Sequence, residues 1–141
     1  MPERQPMKPF AALFLAVLSG VATFAVAAPP DWSGTWTNAK HTVRIKAARC
    51  GAGMCGRVVW ASPEAQEKAA AGGTERLVGT ELFRDFRRDA DGLWYGEVYV
   101  PDLAQSVSGT IEQQGFNTLV GNGCMFAGFG CKTQVWTRVN K

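Results

Sequence analysis

The sequence predicts an all-β fold of short antiparallel strands, arranged as a sandwich or barrel, with one short surface helix. Two observations carry this expectation. Apolar residues recur at every second position through most of the chain, and turn-forming residues interrupt them at the spacing of short strands. Val43 and Ile45 alternate with Arg44 and Lys46, and Trp94, Gly96, Val98 and Val100 alternate with Tyr95, Glu97 and Tyr99. Near the C-terminus Gln134, Trp136 and Arg138 alternate with Val135, Thr137 and Val139. Side chains on a strand point to opposite faces in turn, so each of these segments has two distinct faces. Breaks are expected at Asn38-Ala39-Lys40, the Cys50 to Cys55 loop, Asp89-Ala90-Asp91-Gly92, Gln113-Gln114-Gly115 and Gly121-Asn122-Gly123. Gly, Asn and Asp tolerate the backbone angles that turns require.

One segment departs from the period of two. Ser62-Pro63-Glu64 opens a stretch of Ala, Gln, Glu and Lys that closes at Gly72-Gly73. Ser62 suits the N-cap, Pro63 the first helical position and Gly72 the stop, which predicts a short helix. Its only apolar residues are alanines, so it is expected to bury little and to lie on the surface between strands.

The N-terminus predicts export. Arg4 and Lys8 precede an uncharged apolar run from Phe10 to Ala27, and Ala25-Val26-Ala27 places small residues where a signal peptidase needs them. Residues 1–27 are therefore expected to be a cleaved signal peptide and residues 28–141 a single domain of the periplasm or cell exterior. No cysteine follows the apolar run, which argues against a lipid anchor, and no stable membrane anchor is expected after processing. In an oxidising compartment the four cysteines are expected to form two local disulfides, Cys50 with Cys55 and Cys124 with Cys131, rather than a metal site. Neither a metal nor a cofactor is expected.

Charge weighs against nucleic acid as a partner: fifteen Lys and Arg against twelve Asp and Glu give a net charge of only +3. The densest basic cluster, Arg84, Arg87 and Arg88, is followed by Asp89 and Asp91 and reads as a solvated strand end. Catalytic patterns are absent from the sequence. The single histidine, His41, adjoins a turn, and no nucleophile-elbow, phosphate-loop or zinc-protease motif accompanies it. Glu97 and Asp102 form a conceivable acid/base pair, but they read more simply as a solvated strand residue and a turn residue. The protein is not expected to be an enzyme.

Two resemblances refine the architecture. Gly34-x-Trp36 in the first strand and Arg138 in the last resemble the lipocalin and avidin barrels, in which an arginine of the final strand covers the tryptophan and closes one end. A planar cation stacked on an indole is worth about 0.5 to 2 kcal/mol, whatever the ancestry. A broader set runs Gly34-x-Trp36, Cys50 to Cys55-Gly56, Val58-Val59-Trp60, Leu77-Val78-Gly79, Leu82-Phe83 and Trp94-x-Gly96-x-Val98-Tyr99-x-Pro101-Asp102. It continues with Gly109-Thr110-Ile111, Gly121-x-Gly123-Cys124 and Cys131-Lys132-x-Gln134-x-Trp136-x-Arg138. This set resembles bacterial domain-of-unknown-function family 2147. The resemblance implies an antiparallel up-and-down barrel of the lipocalin or calycin kind, and no assigned activity. The alanine-rich segment between Trp60 and Leu77 replaces an Asp- and Asn-rich loop carried by many members.

A barrel of this kind is expected to bind a small apolar or amphipathic molecule, with Trp60, Phe83, Trp94, Tyr95, Tyr99 and Phe116 as candidate lining residues and Trp36 with Arg138 as the closure. The competing expectation is an interior filled by its own side chains. A second functional reading makes the protein an inhibitor or assembly factor that contacts an envelope protein. It rests on Met125-Phe126-Ala127-Gly128-Phe129, a loop pinned by Cys124 and Cys131.

Overall fold

A computed structural model describes residues 2, 9, 20–26, 31–126 and 129–140, without the side chains of residues 126 and 129. The expected cleavage after Ala27 and most of the apolar run lie outside the described residues. Among the described residues no helix is long and apolar enough to cross a membrane.

The alternating segments form strands β1 (Gly34–Asn38), β2 (Val43–Cys50), β3 (Gly53–Ala61), β4 (Glu81–Arg88), β5 (Trp94–Val100), β6 (Gln105–Gln114), β7 (Thr118–Phe126) and β8 (Phe129–Asn140). Each strand pairs antiparallel with the next, and β8 returns to β1, so the sheet closes into an up-and-down barrel. Helix α1 (Pro63–Ala71) connects β3 to β4, and a 3-10 turn (Pro101–Leu103) connects β5 to β6. The expected β-barrel with one short surface helix is the fold of the chain.

One expected turn is misplaced. Gly121-Asn122-Gly123 lies inside β7, opposite Gln134, Thr133 and Lys132 of β8, while the turn expected at Gln113-Gln114-Gly115 falls slightly later, at residues 115–117. Continuous pairing on both sides of β7 holds these glycines extended, which local turn preference alone does not reveal.

Alternation sends Trp36, Ile45, Met54, Val58, Ile111 and Leu119 into the interior, where all are fully buried. Phe83 and Phe86 are also buried although three residues apart, an offset that would put them on opposite faces of a regular strand. A bulge between Arg84 and Arg87 resolves this: the register shifts there, and Asp85 sits at φ 47°. Asp tolerates that left-handed conformation better than most residues, and the extra residue returns Phe86 to the inner face. Glycines on neighbouring strands make room for both rings. A Cβ at Gly56 would lie 2.7 Å from the Phe83 ring, and one at Gly96 would lie 2.7 Å from the Phe86 ring. Each large side chain buried here stabilises the barrel by about 1.5 to 3 kcal/mol.

The disulfides pair as expected, Cys50 with Cys55 and Cys124 with Cys131. The first joins residues whose Cα atoms are 5.7 Å apart at the β2–β3 turn. The second joins directly facing residues of β7 and β8. Such short loops contribute only about 2 to 2.5 kcal/mol each by chain entropy.

One end of the barrel is sealed by Arg138. Its guanidinium lies 4.3 Å from the centre of the Trp36 ring and 4.3 Å from that of Phe116. It donates to the carbonyls of Phe116 (2.9 Å) and Ser33 (2.6 Å) and to that of Asp31. The Trp36 indole donates to the carbonyl of Trp32 at 3.0 Å, and Trp32 meets Trp94 edge-on at 5.4 Å. The segment before β1 is thus drawn across the barrel end. Arg138→Ala removes two stacking contacts and three charged donors, and we expect a loss of about 2 to 4 kcal/mol in urea unfolding. Arg138→Lys should recover less than half, because an ammonium neither stacks as a plane nor reaches three carbonyls. Equal stability of the wild type and Arg138→Ala would refute the cap.

Candidate ligand site at the barrel mouth

The end opposite Arg138 is open. A cavity of about 450 Å³, partly open to solvent, lies between the β1–β2 turn, α1, the Pro101 turn and β8. Val43, Leu77, Leu82 and Trp136 give it apolar surface, while Lys40, Glu64, Lys68, Asp102 and Gln134 supply polar groups. Leu77, Leu82 and Trp136 are themselves buried. Phe83 backs this surface, meeting Trp136 edge-on at 5.5 Å and Phe86 at 5.8 Å. The barrel is therefore packed solid toward the Arg138 end and hollow at its mouth.

Local hydrogen bonds fix the rim. The Asn38 carboxamide oxygen accepts from the backbone N–H groups of Thr42 (2.8 Å) and Val43 (3.0 Å), and its nitrogen donates to the Thr42 hydroxyl at 2.9 Å. The N–H of Ser62 donates to the carbonyl of Thr42 at 2.8 Å, which ties the start of α1 to this turn. Ser62 caps the helix as expected, accepting from the N–H of Ala65 at 3.1 Å.

The far end of α1 is held from the other side. Thr74 donates to the carbonyl of Pro101 at 2.8 Å, so its oxygen receives the Tyr99 hydroxyl hydrogen at 2.8 Å. Gly72 packs so closely on Asp102 that a Cβ there would fall 1.9 Å from the Asp102 carbonyl oxygen. Ala69 is completely buried. As expected, α1 buries little, Ala69 being its one buried residue, and from the surface the helix covers part of the mouth.

None of the six aromatic residues expected to line a ligand site is among those lining this cavity. Trp60 is exposed, with the Arg44 guanidinium 5.0 Å from its ring centre. Tyr95 is exposed, and Phe116 is half-exposed beneath Arg138 at the sealed end. Phe83 and Trp94 are core residues. Tyr99 carries the Arg84 guanidinium 4.5 Å from its ring centre and holds Thr74 through its hydroxyl. Glu97 pairs with Arg84 at 3.4 Å on an exposed face, while Asp102 lies at the cavity, so the two carboxylates serve different surroundings.

Of the protein-contact loop, residues 127–128 and the side chains of Phe126 and Phe129 lie outside what is described; Met125 is exposed. Among the described residues, no three His, Cys, Asp or Glu side chains gather to hold a metal ion.

The family described as "Uncharacterized protein conserved in bacteria (DUF2147)" matches residues 34–138, from β1 to Arg138. The chain belongs to this family. Curated protein sequences give no match. Among solved structures it is similar to protein HP1028 from Helicobacter pylori, described as belonging to the lipocalin family. That similarity has a TM-score of 0.61 at 10% identity, covering 80% of this chain and 86% of the other. It is a likeness of fold: family member and neighbour share a lipocalin-like barrel.

The strap from Thr74 has a direct test. Thr74→Val keeps the shape but removes the hydroxyl donor to the Pro101 carbonyl, which retains only the Ala104 N–H, and deprives Tyr99 of its acceptor. The expected cost is about 1 to 3 kcal/mol, with faster amide exchange in α1 than in β2 or β6. Uniformly faster exchange, or none, would show that the strap does not hold the helix.

Proposed function

We propose that this protein is an exported binding protein for a small apolar or amphipathic molecule, received at the open mouth of the barrel. The observation that carries the reading is the cavity itself. It combines buried apolar surface at Leu77, Leu82 and Trp136 with polar groups near its opening, at a volume of about 450 Å³. Ligand pockets have this size and this composition, mostly apolar with a few placed polar groups. Hydrogen bonds on both sides of α1 support preorganisation, which lowers the ordering cost of binding. Export is supported by the two disulfides, which persist outside the reducing cytoplasm. The role is one of binding rather than catalysis.

A fluorescent fatty acid serves as the probe. It should saturate at one site per chain and be displaced by a lipid and small-molecule extract of the envelope. Gln134 is exposed, and Gln134→Trp places a large ring in the cavity without disturbing the core. This variant should melt within a few degrees of the wild type and bind the probe at least tenfold more weakly. Non-saturable probe uptake, or full affinity in Gln134→Trp, would refute the site.

A further inference from the structure

Strand β8 is longer than the partner that closes the barrel. Its last pair with β1 is Asn38 opposite Trp136, after which β1 turns away. Pairing with β7 continues through Val135, Gln134, Thr133, Lys132 and Cys131 to Phe129. From Phe129 to Val135, β8 therefore has a partner on one side only, among the described residues.

The direction of its free groups follows from one hydrogen bond. The N–H of Arg138 donates to the carbonyl of Asn117, on the β7 side, at 2.9 Å. Backbone groups of alternate residues share a side in an antiparallel strand, and the β7–β8 register runs without a shift from Thr137 to Cys131. Trp136, Gln134 and Lys132 thus turn their backbone groups toward β7, and Val135, Thr133 and Cys131 turn theirs away. On that free side no strand or loop among the described residues takes up these groups.

The free edge borders the cavity. Four consecutive β8 residues, Thr133 to Trp136, line it, which alternating side chains on one face could not do alone; the edge of the backbone contributes. Across the cavity stand the β1–β2 turn, α1 and the Pro101 turn.

We propose that the ligand of the mouth is an extended peptide segment that adds as a strand to the Cys131–Val135 edge of β8 and places an apolar side chain against Leu77, Leu82 and Trp136. This rests on the reading of the mouth as a ligand site and names the class of its ligand. Strand addition takes affinity from main-chain hydrogen bonds and specificity from pockets for alternate side chains, and the edge and the cavity supply one of each. The Cys124–Cys131 disulfide holds the hairpin that presents the edge, which reduces the ordering cost. Charge complementarity favours a peptide over a fatty acid. Lys40 and Lys68 share the cavity with Glu64 and Asp102, and no ion pair forms among these four. Both signs are thus available to a chain that itself carries both, whereas a single anionic head would meet carboxylates as well as lysines.

The test uses a pool of acetylated, amidated heptapeptides alternating threonine with Val, Ile, Leu or Phe, with one Lys and one Glu in place of two of the threonines. By NMR the pool should slow exchange at the N–H groups of Cys131, Thr133 and Val135 and compete with the fluorescent fatty acid. Thr133→Pro removes a donor that faces no internal partner, a position where a strand tolerates proline. It should weaken peptide binding at least tenfold, well beyond any accompanying loss of probe affinity from the altered cavity wall and the lost Thr133 hydroxyl bond to Asn122. A second pool, N-methylated at alternate residues and used on the unaltered protein, should lose binding to the same degree without any change to the fold. Saturable probe binding with no peptide protection at the three N–H groups would overturn the peptide inference and leave the ligand site standing. Unchanged peptide affinity in Thr133→Pro together with full binding of the methylated pool would overturn it likewise. Protection of the same groups by raising protein concentration alone would assign the edge to a second copy. Failure of both probe and peptides would remove the ligand site itself.

Discussion

The guanidinium of Arg138, stacked against Trp36 and Phe116 and bonded to the carbonyls of Asp31, Ser33 and Phe116, gathers four separate parts of the chain. These are the last strand, the first strand, the β6–β7 turn and the segment before β1. A barrel needs its first and last strands to meet in one register, and a one-residue slip would turn every side chain of β8 to the other face. Pairing Trp36 with Arg138 sets that register. Everything at the opposite end follows from it. With β1 ending at Asn38 and β8 running from Phe129 to Asn140, the surplus of β8 must project at the mouth.

Packing then divides the barrel into a solid part and a hollow part. Phe83 and Phe86 are admitted because Gly56 and Gly96 carry no side chain where the rings lie, and because the bulge at Asp85 turns both rings inward. A barrel of about eight strands can be filled by its own side chains, and toward the sealed end this one is. Near the mouth the inward residues become small or polar: Gly121 opposite Gln134, and Gly123 opposite Lys132. A Cβ at Gly121 would meet no atom closer than 3.8 Å, so space there is left open. The same residue type makes room for rings at one end and leaves it vacant at the other.

Much of the fold was legible because it is written in local signals. Alternation marked the strands, Ser62-Pro63 and Gly72 marked the helix, and the Cys spacings marked two short covalent loops. Trp36 and Arg138 were legible as partners because their chemistry is complementary and they occupy the first and last strands. The candidate site was much less legible. Alternation shows that a strand has two faces but not which of them is inside, so it does not separate aromatics of a cavity from those of the core or the exterior. Tyr95 points away from the barrel while its neighbour Trp94 is buried. The bulge at Asp85 carries no strong sequence mark, and Gly121-Asn122-Gly123 carries a misleading one. The mouth is assembled from a turn, a helix and strand ends distant in sequence. Only the relative lengths of β1 and β8 could have hinted at a projecting edge, and strand ends are set by pairing rather than by propensity.

The central claim is that the two ends of the barrel differ, one capped and packed, the other receiving a ligand beside Trp136. The five tryptophans report on this directly, since Trp36, Trp32 and Trp94 belong to the sealed end, Trp60 to the exterior and Trp136 to the cavity. Titrating a saturating ligand while following the five indole N–H resonances measures which environment changes. A large shift is expected for Trp136, with the other four nearly still. Shifts concentrated at Trp32, Trp36 and Trp94, or at Trp60, would contradict it.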